Sequence, residues 1–309
     1  MLSRVAENIY WMARHIERAE NTARLITVNT HLLLDLPKKA QLGWEPIVDI
    51  LSARDLFSSL YSDTEERSVL KFLITDMQHY GSILSALCHA RENARTIRDI
   101  IPREAWERVN DLYLAAKADA QSGLARRARF FYLRTVILGA QTITGLLAGT
   151  MTHDEGYDFL RMGRNLERAD MTTRIIDVRS ASLLAEPREG LTYENIQWMS
   201  VLKSLTAYQM YRRAIQVRVR RPDVLKFLLQ NPHFPRALYH SLCEMEACLK
   251  NLPRNDKPLT AVKDLENGLL KADPAHLKQA ELHAFIDDLQ IDLAAIHDTI
   301  AATYFLFNR

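Results

Sequence analysis

Met12–Val28, MARHIERAENTARLITV, decides the reading of this chain. It returns as Met162–Val178, MGRNLERADMTTRIIDV, at a constant offset of 150 residues. Nine of the seventeen positions are identical: Met12, Arg14, Glu17, Arg18, Ala19, Thr22, Arg24, Ile26 and Val28. A period this long exceeds any solenoid repeat and indicates duplication of a half-chain. On a 3.6-residue helix, Val5, Ile9, Met12, Ile16, Ala19, Ala23 and Ile26 form one apolar stripe, with Tyr10, Arg14, Glu17, Asn21 and Arg24 opposite. Arg14 and Glu17 are helical neighbours, as are Arg164 and Glu167.

Packing accounts for the retained apolar residues. Arg14, Glu17, Arg18 and Arg24 need a further reason, because a solvated face tolerates polar exchange. Nearby polar positions do differ: His15 against Asn165, Asn21 against Met171, Thr27 against Asp177. Three readings stand. The residues form an ordinary charged helix face, a buried Arg–Glu network joining the halves, or an anion-binding or catalytic constellation. Under the third, Glu17, Glu92 and Glu167 are the candidate general bases. Tyr10, Arg14, Arg18, Asn21, Arg24, Arg164, Arg168 and Arg174 are candidate substrate contacts.

Outward from this stretch, the 309 residues suffice for one large domain or two of average size. Ten Gly and ten Pro are sparse for that length and favour long helices over β-sandwiches or Gly-rich nucleotide folds. A net charge of +2 gives no global electrostatic case for nucleic acid. Cys88, Cys243 and Cys248 form no C-x-x-C and read as free thiols in a reducing compartment. No signal peptide is evident, and no apolar run approaches bilayer-spanning length. The expected location is the cytoplasm, away from membranes.

The pattern predicts helices over Ser3–Leu34 with Ser3 as N-cap, Trp44–Leu60, and from after Ser62–Thr64 to Ile101. A fourth opens with Pro102 in its first position, and a fifth spans Ala125–Thr150. The second half replays the order. One helix starts near Asp154, another holds Trp198, and others open at Pro222, Pro258 and Asp273-Pro274. The last runs nearly to Arg309. VLKFL at Val69–Leu73 reappears at Val224–Leu228, and the alternation at Ile215–Val219 falls inside a helical window. The expected fold is all-α: one domain, residues 1–309, built as a pseudo-symmetric bundle of repeats 1–150 and 151–309 with about five helices each.

The third helix carries HARENARTIRDIIPREAW, His89–Trp106. Arg91, Arg95 and Arg98 fall on one face beside Glu92 and Asn93, and the aligned second-half segment, Cys243–Glu246, has no equivalent. A duplicated protein would build an asymmetric site at such a place. The segment is either a salt-bridged surface or a carboxylate or phosphate site with forked guanidinium donors. Two basic clusters, Arg126, Arg127, Arg129, Arg134 and Arg212, Arg213, Arg218, Arg220, Arg221, admit an RNA reading or a solvated face. No metal site is expected. Glu-x-x-His is missing, and Asp76-x-x-His79 and Asp273-x-x-His276 are weak substitutes. Walker A, G-x-G-x-x-G, H-E-x-x-H and G-x-S-x-G motifs are also missing. Cys88 and His89 point about 100° apart on a helix, so adjacency implies no thiolate–imidazole pair.

At these residues the chain resembles the bacterial alpha-E domain family, which is all-helical. The matching segments are LSRVAENIYWMARHIERAENTARL, ARENARTIRDIIPREAW, GTMTHDEGYDFLRMGRNLERADMT, VLKFLLQNPHFPRAL and the terminal IAATYF. Tyr157 stands where a tryptophan is common. The resemblance implies a setting beside a circularly permuted ATP-grasp protein, often with a transglutaminase-like protein. ATP and Mg would sit on the ATP-grasp partner, with no cofactor in this chain. It transfers Arg14, Glu17, Arg18, Arg164, Glu167 and Arg168 by position, and RENAR as Arg91, Glu92, Asn93 and Arg95, without a catalytic role. The leading expectation is a helical partner that helps an ATP-grasp ligase bind a peptide or amino acid. The alternatives are an enzyme using an Arg/Glu site on a carboxylate or acyl phosphate, and an RNA or aminoacyl-tRNA binder.

Overall fold

The computed structural model describes residues 1–36, 43–182, 194–215 and 218–306. Among these residues the secondary structure is fifteen α-helices and no strand, which bears out the all-α expectation. Contacts divide the chain into two compact units, Met1–Arg164 and Asn165–Arg309.

In the first unit, α1 spans Ser3–Asp35 with Leu2, not Ser3, at its N-cap. The expected second helix is two, α2 (Glu45–Ile50) and α3 (Arg54–Leu60), because Ser52 between them adopts φ +49°, outside any right-handed helix. The expected third is also two, α4 (Glu66–Ile74) and α5 (Ile83–Thr96). Ser82 makes that break. Its hydroxyl donates to the Asp76 carbonyl at 2.6 Å and accepts from the Ser85 N–H at 3.2 Å, capping α5. Pro102 sits at the N-cap of α6 (Arg103–Ala118), one position before the expected one. A short α7 (Ala120–Leu124) precedes α8 (Arg129–Thr150).

α9 runs over Glu155–Ser182, and the division between units falls within it. Asp154 opens it by accepting the Gly156 and Tyr157 N–H groups at 2.8 and 3.4 Å. Then follow α10 (Glu194–Ser204), α11 (Tyr208–Ile215), α12 (Arg221–Gln230), α13 (Leu238–Lys250), α14 (Asp256–Lys271) and α15 (Gln279–Tyr304). Of the alternation at Ile215–Val219, residues 216 and 217 lie outside the described residues, and Arg218–Arg220 are not helical. Asp273-Pro274 forms a turn rather than a helix start. The helix opens at Gln279, where the Glu281 carboxylate accepts the Lys278 N–H at 2.7 Å. Residues 307–309, within the expected last helix, lie outside the described residues.

In the first unit, α1 packs along α5 and α8, and α6 packs on both of those. α9 begins against α1 so closely that a Cβ at Gly163 would lie 2.3 Å from the Tyr10 carbonyl oxygen. In the second unit, α13, α14 and α15 pack in succession. One expectation needs amendment. Among the described residues, α8 is long and apolar enough to cross a bilayer by length and composition, and only 33% of that window is buried. Its threonines and glycines leave no long uninterrupted apolar run in the sequence.

Candidate functional site

α1 lies between α5 and α8, so both its apolar and its polar sides are covered. Tyr10 and Asn21 are buried, Arg14 is 8% exposed and Glu17 2%. On α9, Glu167 is 1% exposed, while Arg164, Arg168 and Arg174 are half-buried. The repeated Arg/Glu residues are therefore not a solvated face.

Their partners are specific. The Arg14 guanidinium stacks over Trp11 at 4.7 Å and reaches Tyr10 at 5.9 Å. Arg24 gives both Nε and Nη2 to Glu20 Oε1, at 2.9 and 2.7 Å, and Gln141 of α8 reaches the same oxygen at 3.3 Å. Arg174 pairs with Asp170 at 2.8 Å in the same i,i+4 register. Arg24 and Arg174, expected as substrate contacts, are thus held by acids one turn away. Glu20 and Asp170 were missed because the repeat keeps their charge but not their identity.

Glu17 reaches a small cleft lined also by Ala13, Ile16, Thr144, Leu147 and Arg164. The cleft places a carboxylate, a guanidinium and a hydroxyl around an apolar floor. Arg164 Nε is buried there without a hydrogen-bond partner among the described residues.

The RENAR segment is a braced surface. Arg91 Nε donates to Asn110 Oδ1 of α6 at 2.8 Å, and Arg91 Nη1 and Arg95 Nε each reach a Glu92 oxygen at 2.8 Å. Asn93 is half-buried on the same helix. Arg98 does not share this face, because α5 ends at Thr96 and Arg98 lies exposed in the following turn.

A further grouping joins α1 to the start of α5. Trp11 stacks on His15 at 5.4 Å, His15 lies 5.3 Å from His89, and Tyr80 lies 5.4 Å from His89. His89 Nδ1 sits 2.7 Å from the Ser85 carbonyl oxygen. Tyr80 is 66% exposed, so this aromatic–imidazole seam opens to solvent at one end. No motif announced it. The available signal was that Trp11, His15, Tyr80 and His89 all change type at the aligned positions Arg161, Asn165, Pro235 and Glu244.

The basic cluster before α8 is partly neutralised. Arg126 and the buried Arg129 both bind Glu66 at 2.8 Å. Burial raises the Glu66 pKa, but the two guanidiniums outweigh it and the net shift is downward. In the second cluster, Arg220 pairs with Asp223 and Arg221 donates to the Leu277 carbonyl. The weak metal pairs are otherwise engaged: Asp76 accepts the Tyr61 hydroxyl at 2.9 Å, and His79 stacks on Phe72. Asp177, His283 and Asp287 are close enough to ligate one ion, but both imidazole nitrogens of His283 already face carboxylates.

Comparison with known proteins gives a family and no activity. The chain is 23% identical over 318 residues to an uncharacterized protein of Mycobacterium bovis, and equally to uncharacterized proteins of two Mycobacterium tuberculosis strains. Each alignment covers 96% of this chain and 35% of the relative, so the chain spans about a third of the length of the curated relatives it matches. No solved structure matches. The Alpha-E model, described as a predicted alpha-helical domain with a conserved ER motif, matches residues 1–305, within which Glu17-Arg18 on α1 and Glu167-Arg168 on α9 are such pairs, and the chain belongs to that family.

Proposed function

We propose that this chain is a helical partner, or substrate-binding component, of an ATP-grasp-linked system that ligates or modifies peptides. The observation that carries this reading is where the charges lie. Glu167 is packed among helices and Glu17 opens only on a small cleft, whereas a general base must reach its substrate. The charges of α5 that meet solvent, on Arg91, Glu92 and Arg95, are braced on one another over an open helix surface. Forked guanidiniums on such a surface suit a carboxylate-bearing peptide or a protein partner. The length of the mycobacterial relatives adds support, because there the matched region works beside further polypeptide. In this reading ATP and Mg belong to the ATP-grasp partner, a transglutaminase-like protein is a further partner, and the setting is the cytoplasm. The recurrence of 150- and 155-residue offsets in internal contacts likewise supports a duplicated origin of the two units.

Tagged co-purification from the native bacterium tests this. An ATP-grasp protein is expected near one-to-one through a moderate salt wash, with ligase activity that depends on this chain and falls when Arg91 and Arg95 are changed to Ala. Recovery of the chain alone would sink the reading. The cleft around Glu17 and Arg164 favours a second reading, an enzyme acting on a carboxylate or acyl phosphate. Turnover by the isolated chain, lost in Glu17→Gln with the fold intact, would establish it instead.

A further inference from the structure

α8 of the first unit and α15 of the second are matched helices. At an offset of 153 residues their burial patterns superpose: Leu133, Val136, Ala140, Ile143 and Leu147 are buried, as are Ile286, Leu289, Leu293, Ile296 and Ile300. The outward stripes superpose too. On α8 the stripe is Phe131, Arg134, Leu138, Thr142, Gly145 and Gly149; on α15 it is Ala284, Asp287, Ile291, Ala295, Asp298 and Ala302. Phe131 is 68% exposed and Ile291 65%. A Cβ at Gly145 or Gly149 would meet nothing within 4 Å, so both positions face open space.

The charges on the two stripes are opposite. α8 carries no acidic residue, and α15 carries no Lys or Arg. Since Glu66 holds Arg126 and Arg129, the cations left to the α8 face are Arg127 and Arg134. α15 answers with Asp287 and Asp298 on its stripe and Asp288 and Asp292 beside it, all exposed. Burial first, and then the charge of Asp288, raise the Asp292 pKa, a crowding that a basic neighbour would relieve.

We propose that the exposed face of α8 docks on the exposed face of α15 in a second copy of this chain. Phe131 and Leu138 of one copy and Ile291 of the other form the apolar centre, and Arg127 and Arg134 meet the aspartates. Gly145 and Gly149 on one side, and Ala295 and Ala302 on the other, let the backbones approach closely. The contact runs about 27 Å, eighteen residues at helical rise. The two faces differ, so the contact links one copy to the next by self-association.

Light scattering with size exclusion on the full chain tests this, at about 50 μM, where a micromolar contact is nearly saturated. A dimer that weakens with salt is expected. Gly145→Leu enters open space in the monomer and replaces a glycine inside a helix, so it should not lower the melting temperature while weakening dimerisation at least tenfold. Arg134→Glu alone and Asp287→Lys/Asp298→Lys alone should each be monomeric, and mixing the two variants should restore a heterodimer visible by native mass spectrometry. A monomeric wild-type chain overturns the proposal, as does a dimer indifferent to Gly145→Leu and Arg134→Glu. A monomer that co-sediments with anionic vesicles through Phe131 would overturn it in favour of a lipid surface.

Discussion

The two compact units share their packing and differ in their chemistry. Thr22 of α1 donates to the Gly81 carbonyl at 2.9 Å, and Thr172 of α9 donates to the Arg236 carbonyl at 2.9 Å. Phe57 meets Phe72 edge-on, and His79 stacks on Phe72. In the second unit Tyr211 meets Phe227 edge-on, and Phe234 lies tilted against Phe227 at 5.0 Å. Glu20–Arg24 matches Asp170–Arg174. The Trp11–His15–His89–Tyr80 seam has no such match, and Arg91, braced on Asn110, is answered by Glu246, paired with Lys250 and Lys263. The contacts that recur in both units therefore mark what holds each unit together, and the positions that differ mark where ligand or partner chemistry is to be sought.

The largest test of the shared packing is at Gly163, which aligns with Ala13 at the 150-residue offset. A Cβ at Gly163 would press on backbone, the Tyr10 carbonyl oxygen at 2.3 Å, which cannot rotate aside. Gly163→Ala should gain about 1 kcal/mol in helix propensity yet lose about 3 kcal/mol net through overpacking. Ala13→Gly should cost only about 1 kcal/mol. Thermal melts of the two variants measure the asymmetry; a stabilised Gly163→Ala would refute the close crossing.

His79 is the next point at which to break the comparison, because Phe234 fills its place in the second unit. Burial lowers the His79 pKa to about 4. The folded state therefore binds this proton less readily than the unfolded chain. Stability is fully present above about pH 6.5 and is lost as pH falls toward 4, by about 2 kcal/mol at pH 5 from this group. His79→Phe should flatten that acid limb of the stability profile. Gly81, where a Cβ would lie 2.7 Å from the His79 ring, should refuse Ala for the same reason of space.

Much of the fold was legible because helices announce themselves by period, cap and proline: α1, α9 and α12 lie where the pattern puts them. The missed breaks at Ser52 and Ser82 depend on a left-handed residue and a side-chain cap, which a serine in a helical window does not declare. The Arg/Glu repeat was legible as a pattern but not in burial, since a helix covered on both sides reads as amphipathic when its second side is polar. The seam was illegible because it joins residues 11, 15, 80 and 89, which only the α1–α5 packing brings together.

A smaller effect tests whether the threonine contacts are equivalent. Thr22→Val and Thr172→Val each remove a buried hydroxyl and leave a carbonyl without that donor, at about 1–2 kcal/mol apiece. Similar losses, read by denaturant unfolding, would sharpen the likeness between units; a neutral change in one would break it there.

The smallest effect lies on a contact the second unit does not share with the first. His283 of α15 places Nδ1 2.7 Å from Asp177 of α9, and Nε2 3.5 Å from Asp287. The hydrogen bond to Asp177 and its charge raise the His283 pKa above the ordinary value. Burial raises the Asp177 pKa despite the histidine. Both shifts act in one direction. The imidazolium contribution is complete below the unfolded value and is lost as pH rises through the raised one, and a carboxyl with a raised pKa likewise loses stability with rising pH. His283 is more than half exposed, so solvent screening holds the effect below about 1 kcal/mol. His283→Gln should therefore cost little at pH 6 and less at pH 9. The position aligned at the 153-residue offset is Phe130, which touches Phe131 instead. A pH-independent loss in His283→Gln would mean that the ring acts by packing, as an aromatic does in the first unit, and the contrast between the units at this position would disappear.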